Sequence, residues 1–173
     1  MSHALVAARL ARQHSQERVL RICWETNGAM NQKMLREMAR LSTESGGCIK
    51  FDLKAFSQEL HLALCGVSNR RTLENFRFLA TLVEERPDPP LLVASTLLVP
   101  GYVDEGEVGA IARFIASLNV NIPYALLAFY PHFCMSDLPT TSKSHALACQ
   151  RAALAAGLKN VRLGNLHLLR NDY

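Results

Sequence analysis

Apolar and polar positions alternate along this chain with two different periods, so stretches typical of helices follow stretches typical of strands. Apolar residues that recur every three or four positions predict helices over residues 3–14, about 31–43, 57–66, 70–86, about 104–118 and about 142–156. Short apolar runs that end at turn residues predict strands in "VLRICWET" (19–26), "CIKFDLK" (48–54), "LLVASTLLV" (91–99), "IPYALLAFY" (122–130) and "VRLGN" (161–165).

Several element ends carry signals of their own. Asn27-Gly28 is a strong turn signal after the first predicted strand. Ser68 and Asn69 stand where caps of the helix over 70–86 would stand. Asp104 and Glu107 form the Asp-x-x-Glu signature of a helix N-terminus. These signals support helices that begin and end where the apolar periodicity places them.

The order of the predicted elements is α-β-α-β-α-α-β-α-β-α-β. Strands joined by helices long enough to cross over predict a parallel sheet with right-handed connections. The apolar run "LLVASTLLV" is typical of a strand covered on both faces. The fold class is therefore α/β, either an open doubly wound sheet or a (β/α) barrel. The chain has no G-x-G-x-x-G and no G-x-x-x-x-G-K-[ST] segment, which counts modestly against a nucleotide-binding open sheet.

Composition narrows the classes of function. The 173 residues are enough for one domain with a real core, and we expect residues 1–173 to form one domain. The net charge of +4 is spread without a run of five like charges, which argues against a nucleic-acid partner. No apolar stretch approaches the ~18–20 residues of a membrane span, and the N-terminal segment lacks a secretion signal core. We expect a cytoplasmic protein.

The cysteines are scattered at positions 23, 48, 65, 134 and 149, so the chain has no CxxC pair and no cluster triplet. We therefore interpret them as reduced, partly buried thiols of a cytosolic protein. Cys23 precedes Glu25 on one face of its predicted strand, which would place its thiol inside a barrel, below the rim.

Polar residues collect where the predicted strands end, and in a parallel α/β fold functional residues gather at those carboxyl ends. The candidate site residues are Glu25, Thr26, Asn27, Asp52, Lys54 and His132. Carboxylates there could bind a hard cation or the ammonium of an amino-acid-like ligand, and the lysine could bind a carboxylate. Each residue also has a simpler interpretation: the acids as solvated or capping groups, Lys50 and Lys54 as partners of Asp52, Asn27-Gly28 as a turn, and the histidine as a surface residue.

Four segments in this order, "ETNG", "KFDLK", "GVSNRRTLENF" and "LLVPGY", resemble a known family. The chain is similar to the radical S-adenosylmethionine enzymes of the pyruvate formate-lyase activating-enzyme group, and most similar to the radical enzyme of the AmmeMemoRadiSam system. The resemblance runs from about residue 3 to about 166. It implies a partial, six-stranded (β/α) barrel and an enzyme in which a 4Fe-4S cluster reduces S-adenosylmethionine to a radical that abstracts hydrogen.

The resemblance also assigns roles. Glu25 and Thr26 take the strand-end position where the activating enzymes place an Asp-Thr pair near a monovalent cation and the cofactor. Asp52 and Lys54 take positions that line the methionyl part of S-adenosylmethionine. His132 lies near a family histidine that follows the last barrel strand.

The chain departs from the family in ways that bear on activity. The CxxxCxxC loop that holds the cluster does not occur among its 173 residues, nor does the Gly-Gly-Glu segment that binds the cofactor's amino group. Ser95 stands where the activating enzymes carry an arginine. We therefore expect a barrel truncated at its N-terminus by about two strands, without metal ligands and not catalytically competent alone, since a cluster needs several thiolates at one place.

Three hypotheses follow for function. The first is the cofactor-binding C-terminal part of a radical enzyme, complemented by a separate cluster-bearing chain. The second is a degenerate barrel that acts as a scaffold or interaction module and self-associates through an exposed strand over residues 19–26. The third, an unrelated barrel enzyme that uses Glu25, Asp52 and His132 for acid–base work, explains the motifs less economically.

Overall fold

The computed structural model describes residues 2–15, 18–86 and 88–171. Its helices are α1 Ser2–His14, α2 Gln32–Ser45, α3 Gln58–Cys65, α4 Arg70–Ala80, α5 Glu105–Leu118 and α6 Lys143–Ala155. Its strands are β1 Trp24–Thr26, β2 Ile49–Asp52, β3 Leu92–Leu98, β4 Tyr124–Ala128 and β5 Val161–Gly164. Short 3-10 helices cover Val83–Glu85, Phe133–Met135 and Leu166–Leu168. The predicted order of helices and strands is confirmed.

The sheet has five parallel strands in the order β1-β2-β3-β4-β5. Each strand therefore lies beside its successor, whereas a doubly wound sheet reverses its strand order at a switch point. Right-handed crossovers that always advance in one direction put every helix on the same side of the sheet. This topology confirms the parallel α/β class and has the winding of part of a (β/α) barrel.

The two faces of the sheet differ in chemistry. Side chains of Ile49 and Phe51 on β2 are fully buried and face the helices, as does Trp24, whose indole N–H donates to the Met38 carbonyl of α2 at 3.2 Å. Lys50 and Asp52 alternate with them and lie on the opposite face. We call this opposite face of the sheet, which also carries Glu25, Ser95, Leu97, Ala125 and Leu127, the inner face.

The first strand is shorter than predicted. Only residues 24–26 pair with β2, whereas the pattern predicted a strand over 19–26. Side chains of α2 take the backbone groups that a longer strand would have used, because Ser45 accepts from the Ile22 N–H and Ser42 donates to the Ile22 carbonyl, both at 2.8 Å. Val19 and Leu20 precede this point and are exposed. The exposed-strand prediction for 19–26 is therefore wrong in its extent.

Two residues that were predicted to cap helix N-termini, Glu107 and Asn69, use their side chains differently. Asp104 caps α5 by accepting from the Glu107 N–H at 2.9 Å, but the Glu107 carboxylate accepts from the N–H groups of Phe56 and Ser57 in the segment after β2. Asn69 occupies the N-cap position of α4 without a capping hydrogen bond from its side chain. In the described ranges, no helix combines the length and apolarity that crossing a bilayer requires.

Candidate functional site

A pair of oppositely charged side chains lies at the carboxyl end of β2, on the inner face. The Lys54 ammonium donates to one oxygen of Asp52 at 2.8 Å, and the Ser95 hydroxyl donates to the other oxygen at 2.5 Å. Asp52 and Ser95 face each other in register on neighbouring strands. Ser95 is fully buried, whereas about a third of each charged side chain is exposed. One end of the pair is thus fixed by the sheet and the other faces solvent.

The carboxylate is held in its charged form. Burial alone would raise the pKa of Asp52, but the hydrogen bonds from Lys54 and Ser95, with the positive charges of Lys54 and Lys50, outweigh burial and lower the pKa below its ordinary value. Asp52 is therefore an ionised acceptor at neutral pH and can bind an ammonium or a second donor. Lys54 is available to a carboxylate whenever a ligand replaces Asp52 as its partner.

A second ion pair lies on the same inner face, one strand nearer the edge. Glu25 and Lys50 are directly opposed in register, and their charged atoms are 3.3 Å apart. The Glu25 side chain is 77% exposed, so the pair is largely solvated. The structure therefore brings together Glu25, Lys50, Asp52 and Lys54 on one surface, and each lysine pairs with one acid.

Thr26 and Asn27 belong to a different environment. Thr26 is buried and faces the helices, since it shares the face of Trp24. Its hydroxyl accepts from the Gly28 N–H at 3.1 Å, and the Asn27 side-chain oxygen accepts from the Ala29 N–H at 3.1 Å. These are the local hydrogen bonds of a turn. Their predicted contact with a cofactor remains a prediction.

The turn after β1 is held by α4. Thr72 donates to the Asn27 carbonyl at 2.9 Å, and the Asn75 amide donates to the carbonyls of Gly28 and Met30, each at 2.8 Å. Asn69, one turn earlier on α4, donates to the carbonyls of Ala55 and Phe56 after β2. All three side chains are buried. The segment "GVSNRRTLENF" therefore positions the two backbone segments that follow β1 and β2.

His132 lies at the carboxyl end of β4, two strands from Asp52 in the sheet, and is exposed. Between these places is a cavity of about 210 Å³ that Lys54 borders. Its other lining residues are mostly apolar: Leu64, Cys65, Leu97, Val99, Val103, Phe129 and Met135. The charged groups at the end of β2 thus lie next to this mostly apolar cavity, on the same side of the sheet.

The sequence pattern identified the charged residues but only some of their partners. Ser95 was singled out only as a departure from the family, and its bond to Asp52 follows from the register of β2 with β3. The apolar cavity depends on packing between segments far apart in sequence, and no local motif indicated it. The expectation that lysines neutralise Asp52 is correct for Lys54, whereas Lys50 pairs with Glu25.

The described residues contain no group of three or more His, Cys, Asp or Glu side chains that could hold a metal ion. These residues consequently do not fit an iron–sulfur cluster, which requires three or four thiolates at one place. They do fit an amino-acid-like group, because an ionised carboxylate and an ammonium lie side by side at the end of β2.

The chain is similar in sequence to activating enzymes. It is 38% identical over 130 residues to the isethionate sulfite-lyase activating enzyme of Desulfovibrio desulfuricans, a match that covers 70% of this chain. The chain spans 38% of that relative's length. No family model matches it.

Solved structures share its fold. A domain of a pyruvate-formate lyase-activating enzyme from Bacteroides vulgatus aligns with a TM-score of 0.74 at 20% identity, over 95% of this chain and 91% of that one. A radical SAM methyltransferase from Sphaerobacter thermophilus aligns with a TM-score of 0.70 at 17% identity, over 95% of this chain and 48% of that one. The sequence relative is an activating enzyme and the solved structures share the fold, which together support the radical S-adenosylmethionine activating-enzyme type.

This similarity gives the site a context. Radical S-adenosylmethionine enzymes use S-adenosylmethionine and a 4Fe-4S cluster, and this chain is similar to part of an activating enzyme. In (β/α) barrels the active site lies at the carboxyl ends of the strands, and Asp52, Lys54 and Ser95 meet near such an end.

Proposed function

We propose that this chain is the cofactor-binding part of a radical S-adenosylmethionine enzyme resembling the activating enzymes of glycyl-radical enzymes. The observation that carries the proposal is the Asp52–Lys54 pair, fixed by buried Ser95 at the carboxyl end of β2. An ionised carboxylate and an ammonium side by side match the two charged groups of an α-amino acid. The methionyl end of S-adenosylmethionine carries such a pair.

Each residue then has a definite task. Asp52 accepts from the ligand's ammonium through the oxygen that now binds Lys54, while Ser95 keeps the other oxygen in place. Lys54 turns to the ligand's carboxylate. The apolar cavity beside Lys54 accommodates less polar parts of the ligand and excludes water from them. S-adenosylmethionine, once bound and given an electron, supplies hydrogen-abstraction chemistry.

Glu25 contributes its charge to ligand binding without contacting the ligand directly. It is largely exposed and lies one strand further out than Asp52, so its negative charge adds to a surface that attracts an ammonium. Lys50 keeps this charge close to the inner face. We propose no electron-transfer role for the described residues, because they do not fit a cluster.

We further propose that a cluster-bearing chain or segment completes the barrel beside β1. Within the described residues, β1 is an edge of the sheet and pairs only with β2. The backbone N–H and C=O groups on the other side of β1 can pair with a further strand. Alone, the chain would then bind S-adenosylmethionine without cleaving it.

Calorimetric titration of the purified chain with S-adenosylmethionine tests the proposal. We expect binding that Asp52→Asn weakens at least about tenfold, since a charge-assisted hydrogen bond is worth about 1.5–3 kcal/mol. Glu44→Gln is the matched control, because it removes the same charge from an exposed helix position. The same preparation treated with iron and sulfide should not acquire a stoichiometric cluster spectrum, and one that did would contradict the expected need for another chain.

Failure of a folded chain to bind the cofactor would favour the second function, a degenerate barrel that acts as a scaffold. The observation behind that alternative is the same open edge at β1. Under it, the Asp52–Lys54 pair only stabilises the end of β2. Equal affinity in the wild type and Asp52→Asn would also reject the proposed role of the carboxylate.

A further inference from the structure

Two cysteines on the inner face lie directly opposite each other. The Trp24 N–H donates to the Cys48 carbonyl at 2.9 Å, and Trp24 is the register partner of Ile49. Cys23 and Cys48, each one residue earlier, are therefore opposed across the β1–β2 pair. Neighbouring strands lie about 4.7–4.9 Å apart, which is within the Cα–Cα range of about 4.4–6.8 Å that a disulfide spans.

The two thiols are neighbours on adjacent strands. Burial raises the pKa of Cys48, and a hydrogen bond with the Cys23 thiol together with its charge raises it further. Glu25 and Lys50 are the next opposed pair along the same face, and their charged atoms are 3.3 Å apart. Side chains in this part of the inner face thus reach across from β1 to β2.

The surroundings of Cys23 and Cys48 allow their thiols to react with a small molecule from solvent. Cys23 is exposed and Cys48 is half-buried. The Arg86 guanidinium donates to the carbonyl of Gly47, the residue before Cys48, so a positive charge lies beside the position where a thiolate would form. A small reagent can therefore reach the exposed Cys23 from solvent more easily than it can reach the half-buried Cys48.

We propose that Cys23 and Cys48 form a reversible disulfide when the chain meets a small-molecule disulfide of the oxidised glutathione class. The Cys23 thiolate attacks that disulfide, which forms a mixed disulfide and releases one reduced thiol. The Cys48 thiolate then attacks the Cys23 sulfur, which forms the internal disulfide and releases the second reduced thiol. The protein loses two protons and two electrons, and the small disulfide gains them.

The internal bond would connect the edge strand to the rest of the sheet. β1 pairs with the sheet over three residues only, and it carries Glu25. A bond between Cys23 and Cys48 would hold β1 in register and close a loop that contains α2. The pair is thus a modification site at the edge beside which a partner strand would lie, and it operates whether or not the proposed cofactor binds.

Peptide mapping by mass spectrometry tests this inference on the intact chain. The protein is incubated with oxidised glutathione, its remaining thiols are alkylated under denaturing conditions, and it is digested with trypsin without reduction. We expect the peptides "ICWETNGAMNQK" and "LSTESGGCIK" to be lost from the alkylated pool and to appear joined. Cys65 and Cys134, which are also exposed, serve as internal controls and should carry glutathione or the alkylating group.

Two matched variants separate the steps. In Cys48→Ser, the mixed disulfide at Cys23 should accumulate because nothing displaces it, and in Cys23→Ser the joined peptide should be absent while Cys48 is modified slowly. If the wild type yields glutathione adducts at both cysteines and no joined peptide, the inference is wrong. Joining of Cys23 or Cys48 to Cys65 or Cys134 at equal yield would also overturn it, because it would mean random oxidation of an unfolded chain.

Discussion

The ends of β1 and β2 look alike in sequence and differ in structure. Each strand has a carboxylate near its end and a further polar residue within two positions, as in Glu25-Thr26 and Asp52-Leu53-Lys54. The sequence predicted a cofactor site at both. At β2, the charged groups bind one another and the hydroxyl of Ser95 on the inner face. At β1, Thr26 and Asn27 bind backbone groups of their own turn. The polar residues of β2 are available to a ligand, whereas most of those of β1 serve the fold.

The difference has a geometric cause. Successive strand residues point to opposite faces, so Glu25 lies on the inner face while Thr26 lies among the helices. A buried hydroxyl needs a hydrogen-bond partner, and the Thr26 hydroxyl accepts from the N–H of Gly28. The comparison teaches that polar residues at a strand end indicate a site only after their face is known.

The strongest test of the β1 turn is Gly28→Ala, for which we expect a loss of about 4 kcal/mol in the free energy of unfolding. Gly28 has a φ of +74°, and a Cβ there would lie 2.0 Å from the Phe51 ring, so strain and overpacking add. Gly66→Ala is the matched control, since its φ is +70° but no atom lies within 4 Å. It should cost only about 1 kcal/mol. Equal losses in urea denaturation would refute the close packing of this turn against β2.

The next test removes the amide that binds the turn from α4. Asn75→Ala leaves two buried carbonyls, those of Gly28 and Met30, without their donor. We expect the free energy of unfolding to fall by about 2 kcal/mol. Glu74→Ala, at the exposed neighbouring position, should change it by no more than about 0.5 kcal/mol. A neutral Asn75→Ala would show that α4 does not hold this turn.

The smallest expected effect concerns the β2 site and its pH dependence. Because the folded pKa of Asp52 is lowered, its ion pair stabilises the protein above the ordinary pKa of 3.8 and loses this effect as the pH falls through the folded value. Replacing Asp52 with Asn should reduce stability at neutral pH by at most about 1 kcal/mol, since the pair is partly exposed. The difference from wild type should shrink below pH 3.8 in denaturation curves at several pH values. A difference that grew on acidification would mean that the pKa is raised, and that Asp52 is not the ionised acceptor we propose.

The hydrophobic pattern alone determined most of the fold. Apolar periodicity and turn residues identified every helix and strand in order, because burial of one face is a local property of each segment. Helix ends such as Asp104 and Gly66 were also predictable, since capping involves residues a few positions apart. The alternation of Ile49, Phe51 and Leu53 with charged residues separated the two faces of β2.

Tertiary structure decided the rest, because it depends on which distant residues meet. The sequence could not show that the pairing of β1 begins only at Trp24, because Ser42 and Ser45 of α2 hydrogen-bond the backbone of Ile22. Nor could it show that Lys50 pairs with Glu25 and not with Asp52. That Cys23 lies opposite Cys48 likewise follows from the register of two strands. Hydrogen bonds and ion pairs form only between groups a few ångströms apart. The sequence therefore determines which donors, acceptors and charges each residue carries, whereas the packing of the sheet determines which of them meet.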